Sequence, residues 1–310
     1  MCIRGQCARF LRHGSSCNSR LAYFRRCRET LSTSFPAAPK HVARHLSSSG
    51  GVSQRVEIKD SSEELEHHAM TTGQDRQKLV VGVIGGMSPA STVVYYQELN
   101  RLVRCRLGGN SSADIIEILR SVNFAAIEEL QQSGRWDDSG IVLGRIAQEL
   151  QKNGAGLVIL ATNTMHKVAP AITASLTIPF LHIADATATA IKAAGFNRPG
   201  IIATRYTMEQ DFYLGRFRDY GLDPVVPIGP DRTYCHRIIF EELCKDLVRD
   251  DSRTAFEQIA ERLVVDGGID CLVLGCTEVG LLLNSGNVSV PVFDTLLLHC
   301  QAAIEKAFSG

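Results

Sequence analysis

Two segments of this 310-residue chain set reactive side chains directly after short apolar runs. Asp270-Cys271-Leu272-Val273-Leu274 breaks into Gly275-Cys276-Thr277-Glu278. Gly156-Leu157-Val158-Ile159-Leu160 breaks into Ala161-Thr162-Asn163-Thr164-Met165-His166. A cysteine has an unperturbed pKa of about 8.5, and a helix N-terminus lowers it. Cys276 follows a glycine and precedes an expected helix, so a lowered pKa is expected there. A threonine hydroxyl is a far weaker acid and a poor base at neutral pH, but it can relay a proton. One such group on each face of a carbon stereocentre suits a 1,1-proton transfer, in which one removes the proton and the other returns one. Taken alone, Gly-Cys-Thr reads as a buried structural cysteine; the matching Thr162 segment turns the balance toward chemistry.

Small polar residues near both segments can hold an anion such as an α-carboxylate. Asn163-Thr164, Thr204 with Thr207, and Thr277 sit at expected strand-to-helix turns, where backbone N–H groups and hydroxyls converge. Each taken singly also reads as an N-cap. Glu278 reads either as a partner for an α-ammonium or as an exposed first-turn glutamate favoured by the helix dipole. His166 reads either as a base or as a packing residue.

The elements that must position these groups repeat along the chain. Leu79 to Ile84 is a continuous apolar run, as expected of a parallel strand buried on both faces. It ends in Gly85-Gly86-Met87-Ser88-Pro89, with Ser88 and Pro89 suited to the N-cap and first position of a helix over 90–107. A strand over 114–122, a helix over 141–153 and the strand before Thr162 complete the first set. Pro199 to Thr204 replays the first strand and its turn, followed by helices from about Met208, over 238–248 and over 253–265. Ile178-Pro179-Phe180 leading to Asp185 is answered by Val290-Pro291-Val292-Phe293 leading to Asp294. The offsets are 118 (Gly86 to Thr204), 114 (Thr162 to Cys276) and 112 (Pro179 to Pro291). The expected fold is therefore α/β, with two pseudo-symmetric lobes, each a parallel sheet flanked by helices. The lobes are expected over 79–177 plus 292–310 and over 178–291. Ligands of such folds bind beyond the carboxyl ends of the strands, so Thr162 and Cys276 should meet in a cleft between the lobes.

The 33 basic and 33 acidic residues cancel, but not locally. Residues 1–50 carry eight Arg, one Lys and one acid, Glu29, for a net of 9 − 1 = +8. The rest carries 24 − 32 = −8. An acidic body argues against nucleic-acid binding by counterion release. No apolar run approaches the roughly 20 residues that span a bilayer. Residues 1–50, rich in Arg and Ser, have the composition of a mitochondrial or plastid transit peptide. Residues 51–78 read as a disordered linker, and a start at Met70 would leave a cytosolic product. The six cysteines beyond the tail form no C-x-x-C pair, so neither zinc nor dithiol chemistry is indicated. Gly82-Val83-Ile84-Gly85-Gly86 lacks the dinucleotide spacing, and neither a phosphate-binding P-loop nor an H-E-x-x-H pair occurs.

At these residues the sequence resembles the aspartate/glutamate racemase family of cofactor-independent amino-acid racemases. The resemblance runs from about Leu79 to Ala307. It is carried by Gly85-Gly86-Met87-Ser88, Thr162 to Lys167, Thr204 to Tyr213, Ile238 to Cys244, Gly275-Cys276-Thr277-Glu278 and Pro291 to Thr295. It is nearest the bacterial broad-specificity or L-aspartate/L-glutamate branch. The likeness implies a two-domain, often homodimeric α/β enzyme that racemises a small amino acid by a two-base mechanism. It implies no cofactor, neither pyridoxal phosphate nor metal. Thr162 and Cys276 fall on the catalytic positions, the first being cysteine in the general pattern. Met87, Gln131, Asn163, Thr164, Thr204, Thr207, Thr277 and Glu278 fall on substrate-binding positions. Tyr234 stands where several relatives have a lysine, so pairing with an acidic substrate side chain is open, with Arg232, His236 and Arg237 as substitutes. Two other readings remain: a decarboxylase or isomerase of the same superfamily using Cys276 alone, and a non-catalytic amino-acid-binding relative.

Overall fold

The computed structural model describes residues 79–111 and 118–309; the expected transit peptide and linker lie outside the described residues. Two parallel sheets belong to one compact unit. The first has strand order β2-β1-β3-β4, with β1 at Val81–Gly85, β2 at Ile118–Ser121, β3 at Leu157–Leu160 and β4 at Phe180–Leu181. The second has order β5-β6-β7, from Pro199–Ile202, Cys271–Leu274 and Val292–Asp294. A single parallel bridge from Val225 to Gly200 extends it on the side that β2 occupies in the first sheet. The sequence repeat is thus a repeat of structure.

The apolar strands form because both of their faces are covered. Val81, Val83, Leu157 and Ile159 pack with Tyr95, Leu99 and Val103 of helix α1 (Pro89–Leu107). Ile84, Val158 and Leu160, pointing the other way, meet Leu143, Ala147 and Leu150 of α3 (Trp136–Lys152). Between these helices in sequence comes α2 (Phe124–Gln132), capped by Asn123. Successive residues on opposite faces are the period-2 consequence of strand geometry. Helix α1 begins as expected, with Ser88 as N-cap accepting from the Ser91 amide and Pro89 at its first position.

Strand pairing corrects the expected lobe boundaries. Phe180–Leu181, expected in the second lobe, pairs with β3 of the first sheet; Val292–Asp294, expected in the first, pairs with β6 of the second. The two proline connectors make the same bond, Val158 N–H to Pro179 O (2.9 Å) and Leu272 N–H to Pro291 O (2.8 Å). Each connector therefore closes the edge of the sheet that precedes it. The helices that follow then cross over. Helix α5 (Ile183–Ala193) joins the second sheet's core, and α10 (Thr295–Ser309) buries Leu296, Cys300 and Ile304 against the first. The chain thus swaps one helix between lobes, and the 292–310 segment is divided rather than wholly in the first.

The swap buries three histidines beneath the strand ends. Tyr95 O–H donates to His299 Nδ1 (2.9 Å), so His299 Nε2 carries the proton given to Leu181 O (3.0 Å). The His166 and His182 rings lie 4.3 Å apart, and His299 stands 5.8 Å from His166. Burial pushes His299 down to about 4 and also lowers His166 and His182, with like charges nearby adding to the effect for those two. Between about pH 6.5 and 4 the unfolded chain binds protons that the folded chain refuses, so stability is full above that window and falls within it. For His299 alone the loss is about 3 kcal/mol. Melting temperature should therefore drop steeply from pH 6.5 to 4, and His299→Gln, which keeps one donor and one acceptor, should flatten the drop. An unchanged slope in the variant would show that His299 does not titrate in that window.

Candidate functional site

The site is assembled from four turns at the carboxyl ends of strands. The first is Gly85-Gly86-Met87-Ser88. Gly86 has φ +94°, and a Cβ there would lie 2.4 Å from Val122 O, so only glycine fits. Its amide donates to Thr92 Oγ1 (2.8 Å), which draws the turn onto α1. The tightness of this turn aims Met87 into the cleft and leaves Ser88 and Ser91 facing the other lobe.

The second turn carries Thr162 at the end of β3. His166 accepts from Ile183 N–H through Nε2 (3.2 Å), so its Nδ1 carries the proton and donates to Thr162 O (2.7 Å). This buried ring braces the Thr162 backbone, and of the two readings of His166 the structure supports packing. Asn163 is held at both ends of its amide, receiving Tyr213 O–H on Oδ1 (2.9 Å) and donating from Nδ2 to Thr295 (3.0 Å). Its backbone and the edge of its amide are what remain to meet a ligand.

The third turn follows β5. Thr204 caps the short helix α6 (Arg205–Glu209), and its hydroxyl lies 2.9 Å from that of Thr164 and 3.2 Å from that of Thr207. Three buried hydroxyls thus link the lobes, and each can be either donor or acceptor. Thr164 and Thr204 line the cavity, whereas Thr207 stands behind them as support.

The fourth turn holds Cys276 at the end of β6. Its thiol donates to Glu278 Oε2 (3.0 Å), which also receives Thr277 O–H (2.6 Å). Across the cleft, Ser88 and Ser91 donate to Glu278 Oε1 (2.7 and 2.6 Å). Glu278 is buried, which removes the exposed first-turn reading. Four donors occupy the lone-pair directions of its two oxygens, so in this arrangement none is left for an α-ammonium. The expectation of a lowered Cys276 pKa is corrected as well. The segment after Cys276 is a single 3-10 turn, Val279–Leu281, whose dipole is small, while burial and then the adjacent Glu278 push the thiol well above its ordinary value.

Thr162 and Cys276 line one narrow cavity, of ≈ 30 Å³ and open to solvent at its rim. Met87, Gln131, Asn163, Thr164, Thr204, Thr277 and Glu278 line it too, so of the ten residues expected at the site only Thr207 lies behind the surface. Gln131 is buried, donates from Nε2 to Met165 Sδ (2.8 Å), and leaves Oε1 without a partner. A buried acceptor left unmatched is costly. Sequence reasoning missed Phe124, Ile239, Phe240 and Cys244 in the lining and Ser88 and Ser91 on Glu278. The segment from Ile238 to Cys244 carried family likeness without an assigned role, and the two serines read only as part of a helix start.

A sequence model of the Asp/Glu/hydantoin racemase family matches residues 84–303. A candidate Asp/Glu racemase from Yersinia pestis is 44% identical, with TM-score 0.69, across 74% of this chain and 99% of that one. An aspartate racemase homologue from Pyrococcus horikoshii is 32% identical, with TM-score 0.64, over the same shares. A glutamate racemase from Shewanella oneidensis is 30% identical over 192 residues, 54% of this chain and 66% of that protein. The chain belongs to the Asp/Glu/hydantoin racemase family, whose two-sheet fold it shares.

The Cys276–Glu278 contact makes a direct forecast. Peptide-resolved alkylation of Cys276 across a pH series should show a midpoint above the ordinary thiol value of about 8.5. Glu278→Gln removes the neighbouring negative charge and should lower that midpoint; no movement would separate Glu278 from the ionisation of the thiol.

Proposed function

We propose that the chain is a cofactor-independent amino-acid racemase working by two-base 1,1-proton transfer. The observation that carries this reading is the placement of Thr162 and Cys276, from the ends of β3 and β6, on one cavity. Family membership supports it. Aspartate and glutamate are the substrates the family suggests.

In the proposed cycle the substrate carboxylate meets the hydroxyls of Thr164 and Thr204 and the backbone N–H groups of the turns. Its α-ammonium donates to the unpaired Gln131 Oε1. The resting thiol is protonated, so the forward step needs a proton acceptor, and Glu278 Oε2 is already hydrogen-bonded to it. As the Cys276 proton passes to Glu278, the thiolate takes the α-proton of one enantiomer, the L form by analogy. Thr162 O–H delivers a proton to the opposite face while taking one from water at the cavity rim. Glu278 then returns its proton to solvent, which balances the cycle. Donors already oriented on the carboxylate stabilise the developing carbanion without reorganisation.

The asymmetry of the pair predicts asymmetric kinetics. General acid–base groups contribute about 10²–10⁴ in rate, so Cys276→Ala should reduce α-proton exchange in D₂O from the preferred enantiomer by at least about 10². Thr162→Cys should speed the reverse direction, read by NMR and chiral chromatography. Normal activity in Cys276→Ala would sink the mechanism, and release of carbon dioxide, with deuterium entering the decarboxylated product, would make the enzyme a decarboxylase. The organelle address in residues 1–50 and a homodimeric state belong to the same proposal, supported by composition and by the resemblance respectively.

A further inference from the structure

We propose that the chain carries a second ligand site, a groove on the first lobe that takes a small organic anion: one carboxylate or phosphate on an apolar or aromatic body. The groove lies between α3 and the short helix α4 (Ala169–Ala174) and has a volume of ≈ 630 Å³. Small-molecule sites fall in the range of about 300–1,000 Å³. None of its lining residues lines the strand-end cavity, so the inference stands apart from the racemase reading.

The floor is apolar. Gly140, Gly144 and Val168 are buried beneath it, and Ile141 at its side is 53% exposed. The two glycines have different reasons. A Cβ on Gly140 would come 2.9 Å from Ala171 Cβ, so the packing of α4 on α3 requires that glycine. A Cβ on Gly144 would meet Ala171 O and Ser175 at 3.5 Å, which is ordinary contact. Glycine inside a helix is costly, and here packing does not demand it; what the missing side chain provides is depth between the two helices.

Two cations border this floor with no carboxylate on them among the described residues. Glu149, four positions after Arg145 and its ordinary helical partner, lies 3.5 Å from Arg120 instead. The Lys167 ammonium sits 4.0 Å over the Trp136 ring centroid. Asp137, the one acid in the lining, is exposed in the first turn of α3 and pairs with neither. Burial lowers the Lys167 ammonium from its ordinary value, a cost that an adjacent anion would offset. A bare inorganic anion would gain only the small worth of exposed ion pairs. A neutral apolar molecule would leave both cations unmet, and a cationic one would be repelled. Only a molecule with an anionic head and an apolar body uses the whole surface, adding buried area to charge.

Trp136 is the only tryptophan of the chain, so its fluorescence reads the groove directly. The full chain is titrated with phenyl phosphate, phenylacetate, inorganic phosphate, benzyl alcohol and phenethylamine, with calorimetry in parallel. The expected result is saturation of the Trp136 signal by phenyl phosphate, phenylacetate or both, with Kd below about 5 mM. The better of the two identifies the head group. Inorganic phosphate, benzyl alcohol and phenethylamine should each bind at least about tenfold more weakly. Arg145→Glu, at an exposed position, should weaken the organic anions by at least about tenfold, and Gly144→Ala, which makes the groove shallower, should weaken them too. No saturation by either organic anion, as when a second copy of the chain covers the groove, would overturn the inference. So would a control probe binding within tenfold of the best anion, or binding that Arg145→Glu leaves unchanged.

Discussion

The site depends on one buried carboxylate held by four donors from two lobes. Ser88 and Ser91 reach Glu278 from the first sheet's turn, and Thr277 and Cys276 reach it from the second sheet's. A buried carboxylate needs such donors, because without water its charge is otherwise uncompensated. The cleft is therefore joined at the point where the reactive thiol sits. The same contact raises the thiol's pKa and offers an acceptor for its proton, so closing the lobes and poising the cysteine are a single arrangement.

Around that contact the fold works as two copies of one unit. The repeated proline connectors close each sheet with the same hydrogen bond, and the helices beyond them cross to the opposite core. The crossing places His166, His182 and His299 between the lobes, where burial keeps them neutral. His166 in turn fixes the Thr162 backbone. Structural and chemical functions are thus divided by depth: rings and braced amides lie underneath, and hydroxyls and the thiol lie at the surface of the cavity.

Away from the strand-end turns the cavity is lined by Met87, Phe124, Ile239, Phe240 and Cys244. None of the cavity's described lining residues is basic.

Much of this was legible in the sequence because it depends on local pattern. Strands buried on both faces must be continuous apolar runs, so β1, β3 and β6 were readable, as was the internal repeat that put Thr162 and Cys276 at equivalent ends. Gly86 and the Ser88-Pro89 start follow from local backbone sterics. What sequence could not decide were contacts between distant residues. Ser88 and Glu278 are 190 positions apart, so the carboxylate's buried role and the raised thiol were settled only by folding, against a local reading that pointed the other way. The lobe boundaries were likewise missed, because an edge strand and the helix after it can pack on different sheets. Residue types and spacing determined which groups are present; which protonation states, braces and walls they meet was decided by tertiary burial, since desolvation depends on neighbours in space.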